Sequence, residues 1–141
     1  MPPPVFPPIG LRLARTARVV SQAFERAMAD AGGSAATWQV LLLVRAQNWG
    51  TQSAMAEAMG ITPATLTHHL NGLERQGLIR RWREEDNRRN QRVELTERGA
   101  ELFERLRTVA VAHDAKLRRR LSDADAEQLG ELLDRLLAGL E

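Results

Sequence analysis

The chain has 141 residues, of which 43% are hydrophobic and 27% charged, and its formal net charge is +2 at pH 7. This balance indicates one globular domain with a single core and excludes a fibrous or largely disordered chain. The absence of cysteine excludes disulfides, thiolate metal sites, cysteine nucleophiles and thiol-based sensing of oxidants. Neither a signal peptide nor a membrane-spanning apolar stretch is apparent, so we expect a cytoplasmic protein without membrane contact.

The first three helices are predicted from helical periodicity and from glycine and proline. Residues 1–8 contain five prolines and predict an extended arm, because proline is excluded from helix interiors. Apolar side chains then recur at helical spacing over residues 9–31 and stop at two consecutive glycines. A second helix follows cap candidates at residues 34–37 and runs to about residue 49, and a short third helix occupies residues 51–60.

The fourth helix, within the stretch ITPATLTHHLNGLERQGL, has two contrasting faces. Leu66, Leu70 and Leu73 fall on one side at 3.6 residues per turn. Thr62 is the predicted N-cap and Gly77 the predicted C-terminal glycine. The opposite side collects small and hydrogen-bonding residues, with Thr65 at its flank: Ala64, Thr67, His68, Asn71 and Arg75.

The spacing of the third and fourth helices is that of a helix-turn-helix, whose second helix enters the major groove of DNA. Thr65, Thr67, His68 and Asn71 have the chemistry to contact base edges. A polar outer face is common in short helices, so an ordinary solvated surface is also an acceptable interpretation of this helix taken alone. A metal site at the adjacent histidines is disfavoured, since adjacent helical residues point about 100° apart. We expect His69 to be partly buried and hydrogen-bonded.

Two short strands, at about residues 78–83 and 92–96, surround the charged loop EEDNRRNQ. Arg88 and Arg89 at its tip could enter a narrow minor groove, although a charged loop is usually just solvated and its acids offset part of the charge. The order of helix-turn-helix followed by a hairpin with a basic tip predicts a winged helix.

The C-terminal third predicts two further helices with apolar stripes. Thr96 caps the first, which runs to about residue 121, and a capping-box variant at Ser122 begins the second. So many leucines beside a small central module favour dimerisation, although an intramolecular core is an equal alternative for any one residue. The candidate dimer-interface residues are Leu13, Phe103, Leu106, Leu129, Leu133, Leu136 and Leu140.

The segments ITPATLTHHLNGLERQGLIRR and NRRNQRVELTERG resemble the recognition helix and the wing of MarR-type (multiple antibiotic resistance regulator) transcription factors. The resemblance covers nearly the whole chain and implies a mainly α fold with a small β-hairpin wing, flanked by long dimerisation helices. The Asp-x-Arg wing signature of that family matches Arg89, but Asn87 stands in place of the aspartate. Asparagine offers that arginine only a neutral hydrogen bond, which leaves the direction of Arg89 open.

The resemblance implies a homodimeric, ligand-responsive repressor that binds double-stranded DNA at a pseudo-palindromic operator, and it implies no cofactor. The corresponding parts are an N-terminal dimerisation helix (9–33), a DNA-binding module (34–96) and C-terminal dimerisation helices (97–141). It also implies a small aromatic or phenolic effector, for which Trp38 and Arg45 are candidates, although core packing and a solvated helix face are simpler interpretations of the two. A winged helix used only for protein interaction is the alternative, and an enzyme is the weakest, because no nucleophile motif or phosphate loop is present.

Overall fold

The computed structural model describes residues 1–2, 6–46, 51–83, 85–86 and 91–141. Within these ranges the chain forms six helices and one antiparallel hairpin, as the sequence predicts. In chain order they are α1 (Ile9–Asp30), α2 (Ala35–Ala46), α3 (Gln52–Met59), α4 (Pro63–Arg75), β1 (Ile79–Arg83), β2 (Gln91–Leu95), α5 (Glu97–Arg118) and α6 (Asp123–Ala138). The predicted last turn of α2, at residues 47–49, lies outside the described residues.

The helix ends are determined by local side-chain chemistry. The Thr62 hydroxyl accepts a hydrogen bond from the Thr65 amide, and Thr96 caps α5 in the same way. Ser122 and Asp125 form a capping box at the start of α6. α5 ends at Arg118, three residues before the predicted position.

The hairpin and the helices around it enclose the core. In the hairpin, Ile79 faces Leu95 and Arg81 faces Val93. Successive side chains of a strand point to opposite faces, so Ile79 and Arg81 share one face and Trp82 lies on the other. The buried apolar residues come from α1 to α5, from β1 and from the residue before it: Met28, Val40, Leu41, Val44, Met55, Ala56, Leu66, Leu70, Leu73, Leu78, Ile79, Leu102, Phe103 and Leu106.

The structure corrects the assignment of Phe103 and Leu106 to a dimer interface. Their side chains are only 6% and 0% exposed in a single chain, so they have almost no surface to offer a second one. Phe103 stacks on Trp38 at 5.4 Å between ring centroids, and Leu106 lies against Gly33. The first half of α5 therefore completes the core of its own chain.

The terminal helices differ from this centre. Against the described part of the chain, α6 buries no residue, and Met28 is the one buried residue of α1. The predicted interface residues Leu13, Leu129, Leu133 and Leu136 are between 41% and 47% exposed, and Leu140 is 86% exposed. The terminal helices α1 and α6 thus both expose leucine side chains to solvent.

Candidate nucleic-acid interface

The turn between α3 and α4 sets the angle of the helix-turn-helix. Gly60 ends α3 with a φ of 68°, a left-handed conformation that glycine adopts without steric cost. The Ile61 amide donates to the Ala56 carbonyl and closes the turn. Met55 and Ala56 are buried where the helices meet, and the small Ala56 permits their close approach. This geometry is the one that the sequence predicts.

α4 buries its three leucines and exposes the face predicted to contact DNA. Leu66 and Leu70 have no exposed surface, and Leu73 is 4% exposed. On the other side, Thr67 is half-buried and the remaining candidates are exposed: Thr62, Ala64, Thr65, His68, Asn71 and Arg75. His69 is half-buried, as expected, but its side chain makes no hydrogen bond within the part of the chain that the structure describes. A helix supported along one side and open along the other can enter a groove without rearrangement of the core.

Two polar side chains on the wing side of α4 accept hydrogen bonds from side chains of neighbouring elements. The Thr67 hydroxyl donates to the Pro63 carbonyl at 3.0 Å and accepts from Gln52 Nε2 of α3 at 2.5 Å. The Asn71 Oδ1 accepts from Arg81 Nη2 of β1 at 2.5 Å. Both side chains therefore have fewer free rotamers than polar side chains on the open face of a helix usually have.

Arg81 also pairs with Glu74, and this contact changes a pKa. Its Nη2 lies 3.0 Å from Glu74 Oε1, and the Arg81 side chain is 13% exposed against 43% for Glu74. The hydrogen bond from Arg81 lowers the pKa of the Glu74 carboxyl, and the positive charge of Arg81 adds to the effect. The Arg81 Nε is buried with no hydrogen-bond partner among the described residues. Arg81 is thus a largely desolvated cation beneath the edge of α4.

The hairpin extends the same face. Arg80 pairs with Glu94 across the two strands. Trp82 is 45% exposed and, with Gln52 and Leu70, lines a cavity of about 340 Å³ beside the hairpin. The predicted wing residues Arg88 and Arg89, and Asn87 beside them, lie outside the described residues, so their positions stay a prediction.

The end of α4 is tied to the start of α5. The Thr96 hydroxyl donates to the Gly77 carbonyl at 2.6 Å, and Arg98 Nη1 donates to the Gln76 carbonyl at 2.9 Å. A side chain at Gly99 would place its Cβ 1.9 Å from the Leu78 carbonyl oxygen. Because Gly99 is the residue that lets the backbones meet, the orientation of α4 depends directly on that of α5.

The effector candidates share one neighbour. Trp38 stacks on one side of the Phe103 ring, and the Arg45 guanidinium lies 5.6 Å from the centre of the same ring. Trp38 is half-buried and Arg45 exposed. The structure therefore brings the two together at the junction of α2 and α5, in contacts that also satisfy ordinary core packing.

Sequence reasoning missed Gln52 and Arg81 as residues of this face. Period-two alternation in IRRWR places Arg81 on the same side as the buried Ile79, and this signal could have identified it. Gln52 carries no comparable signal, because its role depends on the angle between α3 and α4. Among the described residues, no three histidine, aspartate or glutamate side chains are grouped to hold a metal ion. Nor is any described helix long and apolar enough to cross a bilayer.

A helix-turn-helix followed by a hairpin, with an exposed polar face on the second helix, defines a winged-helix DNA-binding fold. A model of the MarR family matches residues 34–90. The protein of Thauera aromatica assigned to transcriptional regulation of the hcr operon is 31% identical over 129 residues, which cover 91% of this chain and 78% of that protein. The chain belongs to the MarR family of DNA-binding transcriptional regulators.

Solved structures agree with this membership. The transcriptional repressor CouR bound to a 23-mer DNA duplex is 28% identical, with a TM-score of 0.81 and coverage of 92% of each chain. CouR of Rhodococcus jostii RHA1 bound to p-coumaroyl-CoA is 26% identical, with a TM-score of 0.78 and coverage of 91% of this chain and 90% of that one. The predictions of fold class, of family and of a protein that is not an enzyme are confirmed, since MarR proteins are transcriptional regulators.

Proposed function

We propose that this protein is a homodimeric, ligand-responsive repressor that binds a pseudo-palindromic operator in double-stranded DNA in the cytoplasm. The observation that carries the proposal is the combination of an open polar face on α4 with unburied leucine faces on the terminal helices. The first supplies a surface for the major groove, and the second supplies a surface for another copy of the chain.

The dimer explains the apolar face of α6. At 3.6 residues per turn, Leu129, Leu133 and Leu136 lie on one side of this helix, and Leu140 follows its end; each is at least 41% exposed in the single chain. Near the start of α1, Ile9 and Leu13 are four residues apart on one side of the helix, and both are exposed. Continuous apolar faces of this kind are uncommon on monomeric proteins and usually mark an interface. A second copy of the same chain offers a matching surface.

The dimer also explains how DNA would be recognised. One recognition helix contacts a few base pairs, whereas a twofold dimer contacts two half-sites about one helical turn apart. We assign base contacts to Thr65, Thr67, His68 and Asn71, with Thr62 and Ala64 at the close approach to the groove. Arg75 is assigned to phosphate, and the wing arginines Arg88 and Arg89 to phosphate and the minor groove.

Repression and effector response rest on similarity together with the contacts at α2. CouR, a repressor of similar fold, is solved both with DNA and with p-coumaroyl-CoA, whose acyl group is phenolic. Here Trp38 and Arg45 meet at Phe103 of α5, and α5 in turn contacts the end of α4 through Thr96. An aromatic acid or thioester at Trp38 and Arg45 would displace α5 and so alter the angle of α4.

The test joins oligomeric state to DNA selection. Light scattering should give twice the mass of the 15.8 kDa chain at micromolar concentration. Selection from a random duplex pool should recover a twofold-symmetric site, and p-coumaroyl-CoA should release it, with coenzyme A alone as the control. A monomer, or a pool that stays random after selection, would contradict the proposal.

A further inference from the structure

Resting on the proposed function, we infer that Arg81 is a specificity-determining positioning residue, which holds the Asn71 carbonyl oxygen toward β1 so that the amide presents its NH₂ group to the DNA. Arg81 lies on β1 beneath α4, and its contact with the recognition surface is the hydrogen bond to Asn71. Its effect on base choice would be transmitted through the Asn71 amide.

The geometry settles which end of the Asn71 amide faces Arg81. A guanidinium has donors and no acceptor, so the Asn71 atom 2.5 Å from Arg81 Nη2 must be the oxygen. The amide NH₂ group, with its two protons, is therefore the end left for DNA. Asn71 is exposed, so nothing in the described chain covers it.

Arg81 is itself held in place. Its Nη2 also contacts Glu74 at 3.0 Å, one turn further along the same helix, and its side chain is only 13% exposed. Moving the guanidinium away would separate it from both partners at once. Its hydrogen bond to Asn71 is therefore more persistent than one from a solvent-exposed arginine, which loses little free energy when it changes rotamer.

An amide held with its NH₂ end toward the DNA has a different base preference from a free one. A free asparagine binds adenine bidentately, because its oxygen accepts from N6 and its NH₂ donates to N7. Here Arg81 uses one of the two lone pairs of the oxygen and holds the oxygen toward β1, so the NH₂ end of the amide meets the adenine amino group as donor against donor. Guanine instead offers two acceptors, N7 and O6, to the two amide protons. We therefore expect guanine at the base pair that Asn71 contacts.

The experiment compares base preferences of variants after selection from a random duplex pool. The contacted base pair is the one whose preference disappears in Asn71→Ala. At that position the wild type should favour guanine over adenine by roughly tenfold, and Arg81→Met should shift the preference toward adenine. Arg80→Met is the matched control: it removes one positive charge from the adjacent residue together with the Arg80–Glu94 ion pair, but it leaves the Arg81–Asn71 hydrogen bond in place. It should keep the guanine preference.

A double variant separates positioning from a general effect of charge. In the Asn71→Ala background, Arg81→Met should leave the preference at every position as it is in Asn71→Ala alone. A shift of equal size in both backgrounds would overturn the inference. So would a preference for adenine at this position in the wild type, a measurement that does not require Arg81→Met to fold.

The two proposals fail differently. If the wild type selects no sequence at all, the proposed function fails. If it selects a symmetric site in which Asn71→Ala changes no position, or in which Arg81→Met changes nothing, the operator-binding function stands and the role of Arg81 is refuted. Thermal melting of each variant identifies those that are unfolded, and Arg81→Lys then replaces Arg81→Met as the variant that weakens the double contact.

Discussion

The centre and the ends of this chain use the same residue, leucine, in two different environments. In α4, Leu66 and Leu70 have no exposed surface, whereas in α6 Leu133 and Leu136 are 41% and 42% exposed. Burial of one leucine side chain contributes roughly 2 kcal/mol, so the central core stabilises itself and the apolar face of α6 contributes little in a single chain. The contrast teaches that the core of the winged helix is complete within one chain, whereas the apolar face of α6 is left uncovered by the described part of that chain.

The largest expected effect comes from breaking the proposed interface. Leu133→Arg places a charge in the apolar face of α6, so the dimer should dissociate. Specific DNA affinity should then fall on the order of 10³-fold or more, toward non-specific binding, because one half-site remains. Glu131→Arg, on the opposite side of the same helix, is the control and should stay dimeric by light scattering. A dimeric Leu133→Arg that still selects its operator would place the interface elsewhere.

The core can be compared directly with the ends through two leucine truncations. Leu66→Ala removes a fully buried side chain and should lower the free energy of unfolding by roughly 2–5 kcal/mol. Leu136→Ala should act mainly through the dimer. The difference between its unfolding midpoint and that of the wild type should therefore increase with protein concentration, because only the wild-type midpoint rises as the dimer forms. Denaturant titrations at several concentrations measure both. Equal, concentration-independent losses would show that α6 packs within its own chain.

Two glycine substitutions sharpen the same contrast. Gly99→Ala would bring a Cβ to 1.9 Å from the Leu78 carbonyl oxygen, so α5 must shift, at a cost of about 1–3 kcal/mol or more. At Gly130, in α6, a Cβ meets no described atom within 4 Å. Gly130→Ala should therefore stabilise the helix by roughly 0.5–1 kcal/mol. A destabilising Gly130→Ala would mean that the partner chain lies against that side of α6.

Variants that remove base contacts and variants that remove phosphate contacts should differ in their effects on DNA binding. His68→Ala should cost about 1–3 kcal/mol on the selected operator and little on scrambled duplex. Arg75→Ala should weaken both duplexes and flatten the salt dependence by roughly one unit of slope per lost contact. Arg89→Ala should weaken A·T-rich flanks most, if it enters the minor groove. Equal losses for His68→Ala on both duplexes would remove it from the base contacts.

The smallest effect concerns the ion pair beneath α4. Because Arg81 lowers the pKa of Glu74 in the folded state, the pair stabilises the fold above the ordinary glutamate pKa of about 4.3. That contribution is lost as the pH falls through the lowered pKa. The difference in free energy of unfolding between the wild type and Glu74→Gln should therefore become smaller as the pH falls into the acid range. A difference that is constant with pH would show that the ion pair contributes nothing.

Local signals in the sequence determined most of the architecture. The caps at Thr62, Thr96 and Ser122 and the glycine at residue 77 mark helix ends that the structure confirms. These signals succeed because a cap satisfies backbone groups within three residues of itself, and no distant contact is needed. The spacing of Leu66, Leu70 and Leu73 likewise identified the buried face of α4.

The same reasoning could not decide which apolar residues of α5 and α6 belong to the core of one chain and which to an interface between two chains. Phe103 and Leu106 looked like interface residues, yet they complete the core because α5 turns its first half toward α2. Periodicity identifies an apolar face but not its partner, since hydrophobic burial has no direction.

By itself, then, the sequence determined the order of elements, the family and the face of α4 that is open to DNA. Only the tertiary structure brought Arg81 to Asn71 and Gln52 to Thr67, pairs separated by ten and fifteen residues. A hydrogen bond requires its two atoms within about 3 Å of each other and at a suitable angle. Spacing along the chain cannot supply that condition when the partners belong to different elements, because the packing angle between those elements decides it.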